Sequence, residues 1–288
     1  MFTIAKSILK KIYNPRPLNA VKYNYGLLLV IGGSEFYSGS PALAAMAGFR
    51  AGADMAKIIA PERAANIIAG FSPTMAAYPL KGEHLIKEHL SVLISMIESA
   101  KDVARGKTAV VIGGGLGRTE ETQETVLEFL LQVACPVIID ADAIHALAKK
   151  PKVVSDHPCL ITPHFYEFYV LTKVDISKVP ETDRPEIVRQ EAKKLNAVIL
   201  LKGRTDIISD GKEIALNKTG SPYIAKGGCG DTLAGICGAL MARGLDAFTA
   251  GQAGAYINGL AGQIAAKKMK DSLVATDLIE AIPSAIKR

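Results

Sequence analysis

Short apolar runs that stop at glycine or proline alternate along this chain with stretches of helical spacing, and that alternation constrains the fold more than any other feature. GLLLVIGG at 26–33 opens the series, followed by a helix expected from Pro41 to about Gly52 and the strand MAKIIA at 55–60. Residues 83–100 read as an amphipathic helix, after which come TAVVIGGG at 108–115, a helix in TQETVLEFLLQVA at 122–134 and PVIIDAD at 136–142. Strands apolar on both faces belong in a parallel sheet covered on both sides by helices.

The second half continues the pattern. PCLITPH at 158–164 precedes a helix near Phe165 to Leu171, then the helix PEIVRQEAKKL and the strand AVILLKG at 197–203. TDIISD and KEIALN flank a D-G turn at Asp210 and Gly211, which predicts a hairpin and so antiparallel strands at the sheet edge. Helices follow from Asp231 to about Arg243, from Ala247 to Lys268 and from Thr276. The expected fold is α/β: three layers, α-β-α, around a mostly parallel central sheet with antiparallel edge strands. No linker or repeat divides it, so residues 1–20 read as an N-terminal helical extension and 21–288 as a single domain.

Composition narrows the class. A hydrophobic content of 49% in 288 residues supplies a substantial core. The net charge of +6 suits small polyanions, but the 34 basic and 28 acidic residues are interspersed, which argues against nucleic acid. Cys135, Cys159, Cys229 and Cys237 form no C-x-x-C pair, so disulfides and zinc are not expected, and a reducing, cytoplasmic setting is. The opening MFTIAKSILKKIY fits a short basic amphipathic helix packed on the domain. No run reaches the roughly 18 apolar residues of a membrane span.

In such sheets ligands bind beyond the carboxyl ends of the strands, where the chemistry-bearing motifs fall. The richest is K-G-G-C-G-D-T-L-A-G at 226–235. Its glycines permit positive φ and expose successive N–H groups, and the helix behind them presents its positive end to phosphate charge. Asp231 stands where that charge would be, although an acid there also suits an ordinary N-cap. The loop of Gly113, Gly114, Gly115 and Gly117 allows close ligand approach. Asp140 and Asp142 open a helix and suit caps, with ribose binding as the lesser reading. Lys202, before Gly203, suits a cation reaching a phosphate, with Thr205 as a hydroxyl donor. His164, with Glu167 one turn on, could bond a substrate amide or phosphate. Neither metal-ligand spacing nor a G-x-S-x-G elbow is present, which leaves phosphate chemistry.

In this order the motifs resemble the ADP- or ATP-dependent NAD(P)H-hydrate dehydratases, a branch of the ribokinase-like fold. The resemblance runs from about Lys22 to the C-terminus. It rests on V-I-G-G-S-x-x-Y-x-G-S-P at 30–41, A-G-F-R-A-G-A-D at 47–54, I-G-G-G-L-G at 112–117, D-A-D-A at 140–143, L-I-T-P-H-x-x-E at 160–167, L-K-G-x-T at 201–205 and G-C-G-D-T-L-A-G at 228–235. It implies nucleotide-driven repair of NADH or NADPH hydrate, with Asp231 as general base and the N–H groups of Gly228, Cys229 and Gly230 holding the phosphoryl transition state. It also implies that Lys202, Gly203, Arg204, Thr205, Asp206 and Gly230 bind the nucleotide, and that Ser40, Gly115, His164 and Asp231 touch the hydrate. ADP or ATP as co-substrate, Mg²⁺ without an assignable protein ligand, and a homotetramer complete the implication. An epimerase domain, often fused ahead of this one, is expected to be absent.

Ser40 replaces the usual alanine, Cys229 a threonine, Thr232 a valine, His145 an asparagine, and Phe165-Tyr166 a Pro-Gly pair. The two bulky aromatics are expected to narrow or reshape the substrate pocket. The small residues of 250–266 could pack against another helix or serve the internal core. Two further functions fit the same motifs: a small-molecule kinase acting on a vitamin precursor, and a non-catalytic nucleotide-binding protein.

Overall fold

The polypeptide is described by a computed structural model covering residues 1–155 and 157–287. Residue 288, the expected end of the domain, lies outside the described residues. The chain begins with β1 (Phe2–Thr3) and α1 (Ser7–Ile12), then runs β2 (Leu27–Ile31), α2 (Gly39–Arg50), β3 (Met55–Pro61), α3 (Glu62–Ala69) and β4 (Ala76–Leu80). Next come α4 (Leu90–Val103), β5 (Thr108–Ile112), α5 (Glu120–Gln132), β6 (Val137–Ile139), α6 (Asp142–Leu147), β7 (Cys159–Ile161) and α7 (Phe165–Thr172). The last part is α8 (Arg184–Leu195), β8 (Val198–Leu201), β9 (Asp206–Ser209), β10 (Ile214–Asn217), α9 (Cys229–Ala242), α10 (Ala247–Met269) and α11 (Ala275–Ile286).

The strands form one ten-stranded sheet in the order β1-β10-β9-β8-β7-β6-β5-β2-β3-β4. Pairing is parallel from β8 through β4, and β9 is antiparallel to both β8 and β10. The antiparallel pairing therefore falls toward one edge of the sheet, as expected. The outermost position there is taken by β1, parallel to β10, so the first residues of the chain pair with the sheet ahead of the N-terminal helix. At the other edge β4 contains Pro79, which lacks a ladder donor and is tolerated because one side of an edge strand is unpaired. That proline, in a strand of which only Leu80 is buried, hid β4 from the sequence pattern.

Period-two alternation sends Leu28 and Val30 of β2 to one face and Leu27, Leu29 and Ile31 to the other, and both faces are buried. One layer holds residues of α1, α2, α3, α9, α10 and α11; the other holds α4 through α8. Helix α4 starts later than the pattern at 83–100 suggests, because the His89 ring accepts the Ile86 N–H in a preceding turn. The small residues of α10 serve the internal core: a Cβ on Gly254 would strike Cys237 on α9, and one on Gly262 would strike Ile224. Likewise Gly235 of α9 lies against the Ala44 carbonyl of α2, with no room for a methyl group. That close approach brings together the N-terminal turns of α2 and α9. Among the described residues no helix is long and apolar enough to cross a membrane.

Candidate active site

β5, β6, β7 and β8 are consecutive neighbours in the sheet, so the loops at their carboxyl ends open onto one rim. Gly113–Gly115 follow β5, Asp140 follows β6, Thr162 follows β7 and Lys202 follows β8. Onto the same rim α9 projects Asp231 in its first turn. Ser40, in the first turn of α2, donates its hydroxyl to Asp231 Oδ1 at 2.5 Å.

The turn before α9 has the conformation its glycines allow. Gly228 is left-handed at φ 90°, and Cys229 begins the helix. Among the described residues the N–H groups of Gly228, Gly230 and Asp231 have no main-chain acceptor, whereas the Cys229 N–H leans on the Lys226 carbonyl at 3.4 Å. The free donors are therefore those on either side of Cys229, and Cys229 itself faces inward. Thr232 is fully buried; its hydroxyl lies 2.8 Å from the Cys229 carbonyl and 2.7 Å from Asn258 Oδ1 of α10. Asn258 also donates to the Cys229 carbonyl. Sequence reasoning missed this brace, since a polar residue on an apolar helix shows no partner until the helices pack.

Burial pushes the Asp231 carboxyl up to about 6, and the nearby Asp140 carboxylate pushes the same way, against the Ser40 hydroxyl and the Lys202 ammonium. A base with that affinity for protons is poised between carrying a proton and releasing it near neutral pH. Gly114 lets the Asp231 carboxyl sit where it does: a Cβ there would lie 2.8 Å from Asp231 Oδ1 and 3.0 Å from Ser40 Cβ.

Lys202 is engaged by acids. Its ammonium donates to Asp140 Oδ1 at 2.9 Å and lies 3.6 Å from Glu167 Oε2. Burial alone would lower its pKa, but the two carboxylates outweigh that and keep it raised, so the lysine stays charged. It also borders the turn, since a Cβ on Gly230 would lie 3.5 Å from its ammonium. Asp140 is the chief residue that sequence reasoning misplaced. It is 3% exposed, accepts from Thr162 Oγ1 at 2.8 Å, and caps nothing. Asp142 does not cap its helix either; it accepts the Gly117 N–H and the Arg118 guanidinium, fixing the glycine loop. The D-A-D spacing reads as helix-opening in sequence, and only the ends of β7 and β8 reveal what Asp140 faces.

His164 ends β7's loop as the N-cap of α7, its Nδ1 accepting the N–H groups of Tyr166 and Glu167, while Glu167 Oε2 accepts the His164 N–H at 2.8 Å. Its Nε2 lies 3.4 Å from Glu167 Oε1, and the ring is about half exposed. Gly203, Arg204 and Thr205 form the turn between β8 and β9, and Asp206 folds that turn by accepting the Gly203 N–H and the Asn217 amide. Burial raises the Asp206 carboxyl to about 6. Gly115 borders Tyr37 in the loop after β2. Phe165 packs toward Gly203 with the Arg184 guanidinium over its ring, and Tyr166 stands among His145, His164 and Tyr169 with its ring largely exposed. The two aromatics therefore diverge from each other.

All four cysteines are free and buried. Among the described residues no cluster of three histidine, cysteine or acidic side chains is arranged to hold a metal ion.

Comparison with known proteins agrees with this geometry. The family model for NAD(P)H-hydrate dehydratase matches residues 28–284. A bifunctional NAD(P)H-hydrate repair enzyme of Hyperthermus butylicus is 38% identical over 278 residues, covering 94% of this chain and 50% of that protein. The chain thus spans about half the length of that bifunctional relative. An ADP-dependent (S)-NAD(P)H-hydrate dehydratase of Cenarchaeum symbiosum is 34% identical over 287 residues, covering 99% of this chain and 96% of that one. The crystal structure of the ADP/ATP-dependent NAD(P)H-hydrate dehydratase from Bacillus subtilis, co-crystallized with ATP/Mg²⁺, superposes with a TM-score of 0.79 at 26% identity, covering 98% of this chain and 96% of that one. The sheet order and these matches make the fold ribokinase-like, and the chain belongs to the NAD(P)H-hydrate dehydratase family.

Proposed function

We propose that this protein dehydrates NADH or NADPH hydrate to the reduced nicotinamide cofactor, consuming ADP or ATP. The observation that carries the reading is Asp231, a carboxyl raised to about 6, at the mouth of a turn whose N–H groups at Gly228 and Gly230 are free. Asp231 takes the proton of the hydrate's C6 hydroxyl as that oxygen attacks the nucleotide's terminal phosphorus, and the shorter nucleotide leaves. The free N–H groups stabilise the charge on the transferring phosphoryl group. Hydroxide is a poor leaving group, whereas the phosphorylated oxygen departs with its bond pair, pushed by the ring nitrogen. That cleavage releases inorganic phosphate, and loss of a proton from the adjacent carbon to water completes the double bond.

The turn at Gly203, Arg204, Thr205 and Asp206 lies on the nucleotide side in this reading, and Ser40, Gly115 and His164 on the hydrate side. Lys202 stands between the two. Mg²⁺ would come with the nucleotide, held largely by phosphate oxygens and water, and would offset charge on the transferring phosphoryl group. A cytoplasmic setting and a tetrameric assembly belong to the same reading.

Incubation with NADH hydrate and either nucleotide, monitored at the reduced-nicotinamide absorbance band, tests the proposal. Absorbance should return only with nucleotide present. Asp231→Asn should keep nucleotide affinity while lowering turnover by about 10² to 10⁴-fold. No return of absorbance, with phosphorylation of an alcohol instead, would favour a kinase; nucleotide binding without any turnover would favour a silent binding protein.

A further inference from the structure

The least explained group on the rim is Asp140, a carboxylate 3% exposed that neither caps its helix nor reaches the surface. It is costly to bury unless its charge is matched, and the structure matches it twice, with the Thr162 hydroxyl at 2.8 Å and the Lys202 ammonium at 2.9 Å, both on Oδ1. Glu167, 5% exposed, approaches the same ammonium from α7 at 3.6 Å. One lysine thus faces two buried carboxylates, and Asp231 stands beyond it.

That arrangement opposes simple phosphate binding. A bound nucleotide brings negative charge to the turn at Gly228–Asp231 and competes with Asp140 and Glu167 for the Lys202 ammonium. Three carboxylates around one cation leave the rim with surplus negative charge, which weakens ground-state attraction for a polyphosphate. We propose that Asp140 is a positioning residue that withholds Lys202 from the phosphates of the resting nucleotide and keeps its ammonium beside Asp231, exchanging nucleotide affinity for turnover. Binding a substrate and its transition state equally well does not speed the chemical step, so a cation restrained until charge moves during transfer serves catalysis better than one that clamps the nucleotide beforehand.

The groups that face Asp231 are Ser40 from α2, Asp140 from the end of β6 and Lys202 from the end of β8, with Glu167 of α7 acting through Lys202. Asp140→Asn removes a negative charge from this set and frees the lysine. The Asp140 carboxylate repels ionised Asp231 more than the Lys202 ammonium attracts it, so losing that charge favours the ionised form even where the freed ammonium moves away, and the low-pH limb of the activity profile should move down. Both changes favour phosphate binding.

The inference rests on the reading of Asp231 as a base toward a nucleotide's terminal phosphate. Its test is titration calorimetry of the intact protein with MgADP, beside the pH profile of hydrate turnover. Asp140→Asn should bind MgADP roughly three- to tenfold more tightly, while kcat falls at least about tenfold and the low-pH limb shifts downward. Glu167→Gln should tighten binding by a smaller factor, in keeping with its longer distance to Lys202, and supplies the affinity test if Asp140→Asn does not fold. Asp140→Glu, which keeps the charge, should restore nearly the wild-type affinity. A general structural lesion lowers affinity and turnover together, so weaker MgADP binding by folded Asp140→Asn, or unchanged affinity, overturns the proposal. The calorimetric arm needs no turnover: a wild-type protein inert toward NADH hydrate sinks the functional reading, while the affinities still decide the role of Asp140.

Discussion

Ser40 Oγ lies 2.5 Å from Asp231 Oδ1, joining two residues 191 positions apart through the first turns of α2 and α9. The hydroxyl donates to the carboxylate and so favours its ionised form, opposing the burial that pushes Asp231 up to about 6. Ser40→Ala removes that opposition. The Asp231 pKa should rise, and the pH at which kcat/KM climbs should rise with it, leaving less active enzyme near pH 6 and little change well above pH 7. A low-pH limb that stays in place in Ser40→Ala would mean that Asp231 is not the group controlling it.

The same carboxyl affects stability. Its folded pKa, about 6, exceeds the reference 3.8, so the folded protein holds this proton more tightly than the unfolded chain does. Ionised Asp231 therefore costs stability: nothing well below pH 3.8, progressively more between 3.8 and 6, and the full amount above. Asp231→Asn should stabilise the protein by about 1–2 kcal/mol at pH 7.5, after discounting for the residue's partial exposure, with the gain vanishing at pH 4. Urea unfolding at the two pH values measures it. An equal effect at both would place its origin outside the titration.

Gly114→Ala is a steric probe of Asp231 and its Ser40 partner. Its backbone is not left-handed, so alanine brings no conformational penalty, yet the new Cβ would lie 2.8 Å from Asp231 Oδ1. Displacing a catalytic group by about 1 Å costs on the order of 10²-fold in rate. Turnover should fall by about 10- to 100-fold with nucleotide affinity near the wild-type value. Full activity would show that the base does not need this position.

Thr232 tests the brace between α9 and α10. Thr232→Val deletes the hydroxyl that serves Asn258 and the Cys229 carbonyl and leaves buried polar atoms with fewer partners, at a cost of about 1–3 kcal/mol. Thermal unfolding should show a lower Tm. Adding Asn258→Leu removes the stranded partner and should recover part of the loss; a double variant as unstable as the sum of two damaging changes would argue against a shared network.

The layered architecture was legible because strands such as Leu27–Ile31 and Thr108–Ile112 are apolar on both faces, and local composition is enough to require cover on both sides. The turn at Gly228 was legible for a similar reason: a φ of 90° demands glycine, and an acid two residues into the following helix is a local pattern. β4, carrying Pro79, and β1, two residues long, were not legible, because each is a strand only by virtue of the neighbour it pairs with.

The chain's sequence by itself determined the α/β class, the rim where the motifs collect, and the glycine turn that carries Asp231, since periodicity, glycine geometry and helix polarity are properties of short segments. Tertiary packing alone decided that Asp140 faces Lys202 across 62 residues, that Ser40 reaches Asp231 across 191, and that Thr232 meets Asn258 across 26. Those contacts set charge and proton affinity, and electrostatic energy depends on distance through space and on exclusion of water, neither of which is written in the local order of residues.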